Sequence, residues 1–224
     1  MASAVVIMAK HPYAAAVKTR LSPRLDASAR AHLYRAFLAD KLLQVRGVRE
    51  AECLIAYTPA EERAWFAAFA GAEVALWPQC EGDLGRRLGA LFEQLLPRFE
   101  EGVTVVDSDT PTLPLAYLLA GVRALRAGDE LVIGPAEDGG YYLIGLARRA
   151  PMLFDTIEWS SPRTRAQTLA AAAQLGMRTR QLEVWYDVDE PADLRRLQCE
   201  LARGEPSLAP HTRGALAELG LACV

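Results

Sequence analysis

Short runs rich in Val, Ile and Leu alternate with longer segments of helical periodicity along the whole chain, and this alternation limits the possible folds more than any other feature. Strand-length apolar runs stand near residues 4–8, 53–57, 74–77, 103–106, 131–133, 141–145 and 180–185. Helical patterns lie between them near 28–45, 61–69, 84–99, 115–126, 163–175 and 192–203. Apolar strands interleaved with helices make βαβ units on a largely parallel sheet, so the pattern predicts an α/β chain. Pro114 and Pro191 stand where a first helical turn would begin, and Gly47, Gly71, Gly128 and Gly204 follow the ends of helical patterns. The tail from Pro206 reads as a loop leading into one last short helix.

A length of 224 residues suits a single domain spanning 1–224, and 51% hydrophobic residues are enough for a sizeable core. The net charge is −3 and the basic residues are scattered, so no footprint for nucleic acid is visible. No stretch approaches the roughly 20 apolar residues of a membrane span. The N-terminal apolar run is too short for a secretion signal and leads directly into Lys10. Cys53, Cys80, Cys199 and Cys223 are far apart, form no C-x-x-C pair, and read as reduced thiols of a cytoplasmic protein.

In open α/β sheets ligands sit beyond the carboxyl ends of the strands, so polar residues just after apolar runs are the site candidates. After the first run, Lys10, Lys18 and Arg20 place three cations within a short loop. Their mutual repulsion favours a polyanion such as a nucleotide diphosphate between them; a solvated basic loop is the plainer alternative. Neither a P-loop nor a G-x-G-x-x-G is present. The segment Gln79-Cys80-Glu81-Gly82-Asp83-Leu84-Gly85-Arg86-Arg87 passes from strand to helix through two glycines. There Gly82 would allow close ligand approach, and Asp83 is either a contact or an N-cap. An Asp-x-Asp, Asp107 and Asp109, ends the 103–106 run, and hard oxygen ligands there suit Mg²⁺ or Mn²⁺ bridging to phosphates. The alternative is an Asx-turn. A second Asp-x-Asp, Asp187 and Asp189, precedes the helix that opens at Pro191; Asp189 or Glu190 would cap that helix, leaving Asp187 as the better metal ligand. Finally, Glu137, Asp138, Gly139 and Gly140 join two strands, either as a tight turn or as an acceptor or sugar contact with a general base.

These segments together resemble a family of small bacterial proteins assigned as glycosyltransferases, with the GT-A type, nucleotide-diphospho-sugar transferase fold. The resemblance spans nearly the whole chain: Met8-Ala9-Lys10, Val17-Lys18-Thr19-Arg20-Leu21, Gly82-Asp83-Leu84-Gly85, Asp109-Thr110-Pro111-Thr112-Leu113, Asp138-Gly139-Gly140-Tyr141-Tyr142-Leu143-Ile144-Gly145 and Asp187-Val188-Asp189-Glu190. It implies a Rossmann-like three-layer α/β/α sandwich, similar to that of molybdenum-cofactor and phospholactate guanylyltransferases. It also implies phosphate contacts from Lys10, Lys18 and Arg20, a base near Gln79 and Gly82, and a metal on Asp109 completed by Asp187. The family usually carries Gly at the positions of Ala15 and Asp107. Ala tolerates positive φ poorly, which makes the path of the first loop a point to examine.

The function so implied is metal-dependent transfer of a sugar from a nucleotide-diphosphate sugar to a small-molecule acceptor, with Asp138 or Glu137 as base and Arg87 among the nucleotide contacts. The alternative is nucleotidyl transfer from a nucleoside triphosphate to a phosphate-bearing acceptor, with release of pyrophosphate. The absence of glycines in Tyr13-Ala14-Ala15-Ala16 favours sugar transfer. A nucleotide-binding protein without catalysis is a third reading.

Overall fold

A computed structural model describes residues 2–22 and 24–222. Strands β1 (Ala4–Lys10), β2 (Glu52–Thr58), β3 (Ala75–Pro78), β4 (Val103–Val106), β5 (Leu131–Pro135), β6 (Tyr141–Leu146) and β7 (Thr179–Gln181) form one sheet in the order β3-β2-β1-β4-β6-β5-β7. All pairings are parallel except those of β6, which runs antiparallel to both β4 and β5. The helices are α1 (Ala27–Arg46), α2 (Arg63–Ala70), α3 (Leu84–Leu95), α4 (Leu115–Arg126), α5 (Thr164–Gln174), α6 (Pro191–Arg203) and α7 (Pro210–Glu218).

Because side chains alternate across a strand, β1 feeds both sheet faces. Ala4 and Val6 join Leu88, Leu91, Phe92 and Leu95 of α3 and Ala172 of α5. Val5 and Ile7 join Leu38, Leu42 and Val45 of α1, Phe66 of α2, and Leu118 and Val122 of α4. These faces make the three-layer α/β/α sandwich. Helix α1 is buried on two sides, since its Leu33, Ala36 and Phe37 pack with Leu194, Leu197 and Leu201 of α6 and Leu216 of α7. Helices α6 and α7 thus add material outside α1, and truncating any of these leucines to Ala would cost about 2–5 kcal/mol.

Two elements fall short of their patterns by three residues or more. Helix α3 stops at Leu95, ahead of Pro97, which brings no N–H. The 180–185 run gives only β7: beyond Gln181 the chain leaves the ladder, Tyr142 Oη donates to Glu183 O (2.9 Å), and contact returns as a single bridge between Ala136 and Trp185.

The N-terminus of α7 is capped from outside its own segment. Ala209 at the N-cap has a left-handed backbone and no side-chain acceptor. Asp40 of α1, almost fully buried, accepts instead from His211 N (3.0 Å), Thr212 N (2.7 Å) and Thr212 Oγ1 (2.6 Å). Among the described residues no helix is long and apolar enough to cross a membrane. Cys53, Cys80 and Cys199 are free thiols, and Cys223 lies outside the described residues.

Candidate functional site

The chain runs from β1 outward to β2 and β3, then returns to place β4 on the opposite side of β1. That reversal leaves a crevice at the carboxyl ends of β1 and β4, the place where doubly wound sheets bind ligands. A cleft of about 460 Å³ opens there, within the size range of small-molecule sites. Its walls include Lys10, Lys18, Arg20, Gln79, Arg87, Asp107, Asp109 and Asp189 from the sequence reading. Tyr34, Leu84, Ser108 and Ser160 also line it, as do Ala16, Val17 and Thr19 of the first loop.

The first loop is shaped by His11. Its buried ring accepts from Ala14 N (2.8 Å) and Tyr13 N (3.2 Å) through Nδ1, sets Nε2 3.4 Å from Glu62, and lies edge-on to Trp65. The peptide N–H of Ala15 returns to His11 O. These amides therefore point inward, and Ala15 needs no positive φ: among the described residues only Lys18, Ser160 and Ala209 have one without being glycine. Two of those three line the cleft. Left-handed backbone costs a non-glycine residue roughly 1–2 kcal/mol, and such strain concentrates at sites where the surroundings enforce a geometry.

Lys18 is the residue whose position departs furthest from expectation. Its Nζ lies 2.6 Å from Asp109 Oδ1 and 2.8 Å from Asp189 Oδ1, and its side chain is only 3% exposed. Burial would lower its pKa, but the charges of Asp109 and Asp189 and the hydrogen bonds to them outweigh burial and raise it. It therefore stands between two carboxylates rather than as a free phosphate contact. Arg20 is largely exposed and 3.9 Å from Asp189 Oδ2. Lys10, at the exposed end of β1, lines the cleft, and its N–H donates to Tyr34 Oη (3.1 Å), itself 2.8 Å from Ser108 Oγ.

Asp107 acts partly as the Asx-turn alternative. Its Oδ1 accepts from Thr110 Oγ1 (2.7 Å) and Asp109 N (3.2 Å), and lies 3.9 Å from Lys41 Nζ. Lys41, fully buried on α1, donates to Thr110 O (2.9 Å) and Thr110 Oγ1 (2.6 Å). Burial pushes both groups toward neutrality, Lys41 down to about 8 and Asp107 up to about 6. In the second Asp-x-Asp, Glu190 takes the N-cap of α6 and Asp193 accepts from the N–H groups of Glu190 and Asp189. This frees the Asp189 carboxylate for the cleft, so Asp189 rather than Asp187 pairs with Asp109. Asp187 sits behind it; burial, then the charges of Asp138, Asp189 and Asp107, push it up to about 7. Among the described residues no three acidic, His or Cys side chains already converge as a metal-ligand set, so the four aspartates are not a preformed four-ligand centre.

Several expected contacts lie elsewhere. Asp83 is the N-cap of α3, accepting from Arg86 N (2.8 Å), and neither it nor Gly82 lines the cleft. Gln79 does, but its amide nitrogen donates to Ala56 O (2.7 Å) and Ala9 O (3.1 Å), tying strand ends together. Arg87 lines the cleft with its Nε buried and without a partner. Glu137 pairs with Arg196, which stacks on Tyr186, and Asp138 accepts from Gly140 N (2.8 Å) within the β5–β6 turn. Gly139 makes its close approach to this chain's own Pro162, whose carbonyl oxygen lies 2.2 Å from where a Cβ would stand. Glu137, Asp138, Gly139 and Gly140 are thus a structured turn outside the cleft wall, with Asp138 near Asp187.

The sequence reading missed Tyr34, Lys41, Ser108 and Ser160. Lys41 had left a trace: it is one of only three lysines, set in the apolar segment Leu38-Ala39-Asp40-Lys41-Leu42. Ser160 had none, because its loop reaches the cleft only through the packing of Trp159 against Gly85.

Residues 41–161 match the family DUF2064, described as an uncharacterised protein conserved in bacteria. The chain belongs to the DUF2064 family. No curated protein matches it in sequence. Among solved structures, this DUF2064 chain is similar to a protein of Desulfovibrio desulfuricans G20 provisionally named a nucleotide-diphospho-sugar transferase, with 28% identity, TM-score 0.86 and 99% of each chain covered. It is also similar in fold to a cytidylyltransferase from Leptospira borgpetersenii serovar Hardjo-bovis, with 12% identity, TM-score 0.62, and 98% of this chain and 95% of that one covered. A third is CMP:2-keto-3-deoxy-manno-octonic acid synthetase complexed with CTP, with 15% identity, TM-score 0.59, and 91% and 99% covered. The DUF2064 chain therefore has the nucleotide-diphospho-sugar transferase fold.

Proposed function

We propose that this cleft transfers a sugar from a nucleotide-diphosphate sugar to a small-molecule acceptor, with Mg²⁺ or Mn²⁺ on the diphosphate, in a single domain spanning 1–224. The observation that carries the reading is the convergence of Asp109 and Asp189 on one cation at the switch point of the sheet. Two hard carboxylate oxygens that already flank a single ammonium are near enough to share one divalent ion, and Mg²⁺ typically takes one or two carboxylates together with substrate phosphates. The residues thus fit the metal, with Asp109 and Asp189 as ligands and Asp187 and Asp107 beside them. When bound, it would supply Lewis-acid neutralisation of the departing diphosphate.

The chain's own groups supply the rest. Lys10 and Arg20 bring positive charge to the open side of the cleft, and Arg87 offers an unpartnered guanidinium from the first turn of α3, where the helix dipole also favours an anion. Of the two carboxylates in the β5–β6 turn, Asp138, whose charge reaches Asp187, is the better candidate for the base, since Glu137 is held by Arg196. The amides of Tyr13, Ala14 and Ala15 are already bonded to His11 and so are not free to cradle a triphosphate, which supports sugar transfer over nucleotidyl transfer.

The test is Asp109→Ala assayed against nucleotide-sugars with Mn²⁺, reading nucleoside diphosphate release. Activity should fall more than about 100-fold with the cooperative melting transition retained. Normal turnover in that variant, or pyrophosphate as the product of wild type, would overturn the assignment.

A further inference from the structure

Lys18 has a second consequence, which rests on the transferase reading of the cleft. Its ammonium joins the first loop to the segment before α6, across 171 positions of sequence, through two carboxylates that belong to the cleft wall. Arg20 is exposed and 3.9 Å from Asp189, and buried Lys41 feels the charge of Asp109 but is hydrogen-bonded to Thr110. The Lys18 backbone is held at φ 48°, ψ 40°, a conformation that an ordinary residue leaves readily once the contacts enforcing it are gone. An ammonium and a divalent ion on the same two oxygens would repel each other strongly in so enclosed a place. They must therefore alternate.

The geometry points to an exchange in which Lys18 is the resident counter-ion of Asp109 and Asp189, yielding them to a divalent cation when a diphosphate gives its ammonium a new partner. A metal alone then competes with Lys18 and binds weakly. Metal and diphosphate together bind with positive coupling, because the diphosphate takes up the displaced charge. This separates the present account from a permanent structural ion pair, in which Lys18 would stay between the aspartates whatever was bound.

The composition makes a direct test possible, since the chain has three lysines in three environments: Lys10 exposed, Lys41 fully buried and Lys18 held by the pair. Pulse acetylation of the full wild-type chain with acetic anhydride, read by peptide mass spectrometry, would be run without metal, with saturating Mn²⁺, and with Mn²⁺ and inorganic pyrophosphate. Free Mn²⁺ would be followed in parallel by electron paramagnetic resonance. Mn²⁺ alone should raise Lys18 acetylation by about 10-fold or more without changing Lys10 or Lys41, and pyrophosphate should restore protection. Lys18→Met should bind Mn²⁺ about 10-fold more tightly than wild type while losing the coupling to pyrophosphate. Bound Mn²⁺ with Lys18 still protected, or weaker Mn²⁺ binding in Lys18→Met, would overturn the exchange and leave the transferase reading standing. Failure of Mn²⁺ and pyrophosphate to bind wild type at all would overturn both. If Lys18→Met does not fold, the acetylation experiment on wild type decides alone.

Discussion

Gly139→Ala should destabilise the protein through two separable effects. The backbone there has φ +92°, in the region that favours glycine, and left-handed strain alone costs roughly 1–2 kcal/mol. The added methyl would also stand 2.2 Å from Pro162 O and 2.7 Å from Pro162 C and Cα, backbone atoms that cannot swing aside. Forced overpacking of this kind adds about 1–3 kcal/mol, for a total of about 2–5 kcal/mol. In a chain of this size each kcal/mol lowers Tm by about 2–4 °C, so the expected fall is about 4–20 °C. Gly176→Ala provides the control, since Gly176 has φ +65° but nothing within 4 Å of its absent Cβ. It should lose only the strain contribution. Scanning calorimetry on both variants measures the difference, and equal Tm values for the two would refute the steric argument. The effect reaches the cleft as well, because Pro162 belongs to the loop that carries Ser160 to the cleft wall.

Three further outcomes follow from other contacts. Asp40→Asn leaves the N-terminus of α7 with a weaker acceptor and should cost about 1–3 kcal/mol in urea unfolding; an unchanged midpoint would remove Asp40 as the cap. Gly85→Ala would set a methyl 2.4 Å from Trp159 Nε1, displacing the Ser160 loop at about 1–3 kcal/mol, and thermal melts should show a much smaller cost for the same substitution in a Trp159→Ala background. Burial pushes the Cys53 thiol up to about 11, so at pH 8 it should resist iodoacetamide while exposed Cys199 reacts. The sign of this pH effect is fixed: its folded pKa lies above the ordinary value of 9.0, so Cys53 alkylation should accelerate only toward pH 11, and rapid reaction at pH 8 in peptide mapping would contradict its burial.

The architecture was legible because strands buried on both faces read as continuous apolar runs, as Val5-Val6-Ile7 and Val103-Thr104-Val105-Val106 do. The antiparallel insertion of β6 was not legible, since Tyr141–Leu146 carries the same apolar signal whichever way it runs. In the cleft, Asp109 and Lys10 stood out because each comes two or three positions after an apolar run. What misled was the competition between capping and ligation: a carboxylate before a helix serves either purpose, and only geometry separates Asp83 and Glu190, which cap, from Asp189, which faces the cleft. Lys18 likewise reads as a phosphate contact until the fold brings Asp189 to it from the far end of the chain.

Binding of a nucleoside diphosphate in this cleft through a divalent metal would show as thermal stabilisation. Nucleoside diphosphates, nucleotide-sugars and nucleoside triphosphates would each be added with and without Mn²⁺ or Mg²⁺. A ligand at 100 times its Kd adds about 2.7 kcal/mol of stability. Metal-dependent Tm rises of about 5–10 °C with one family of diphosphates and their sugars are the expected result. Shifts confined to triphosphates, or no shift with any nucleotide, would contradict it.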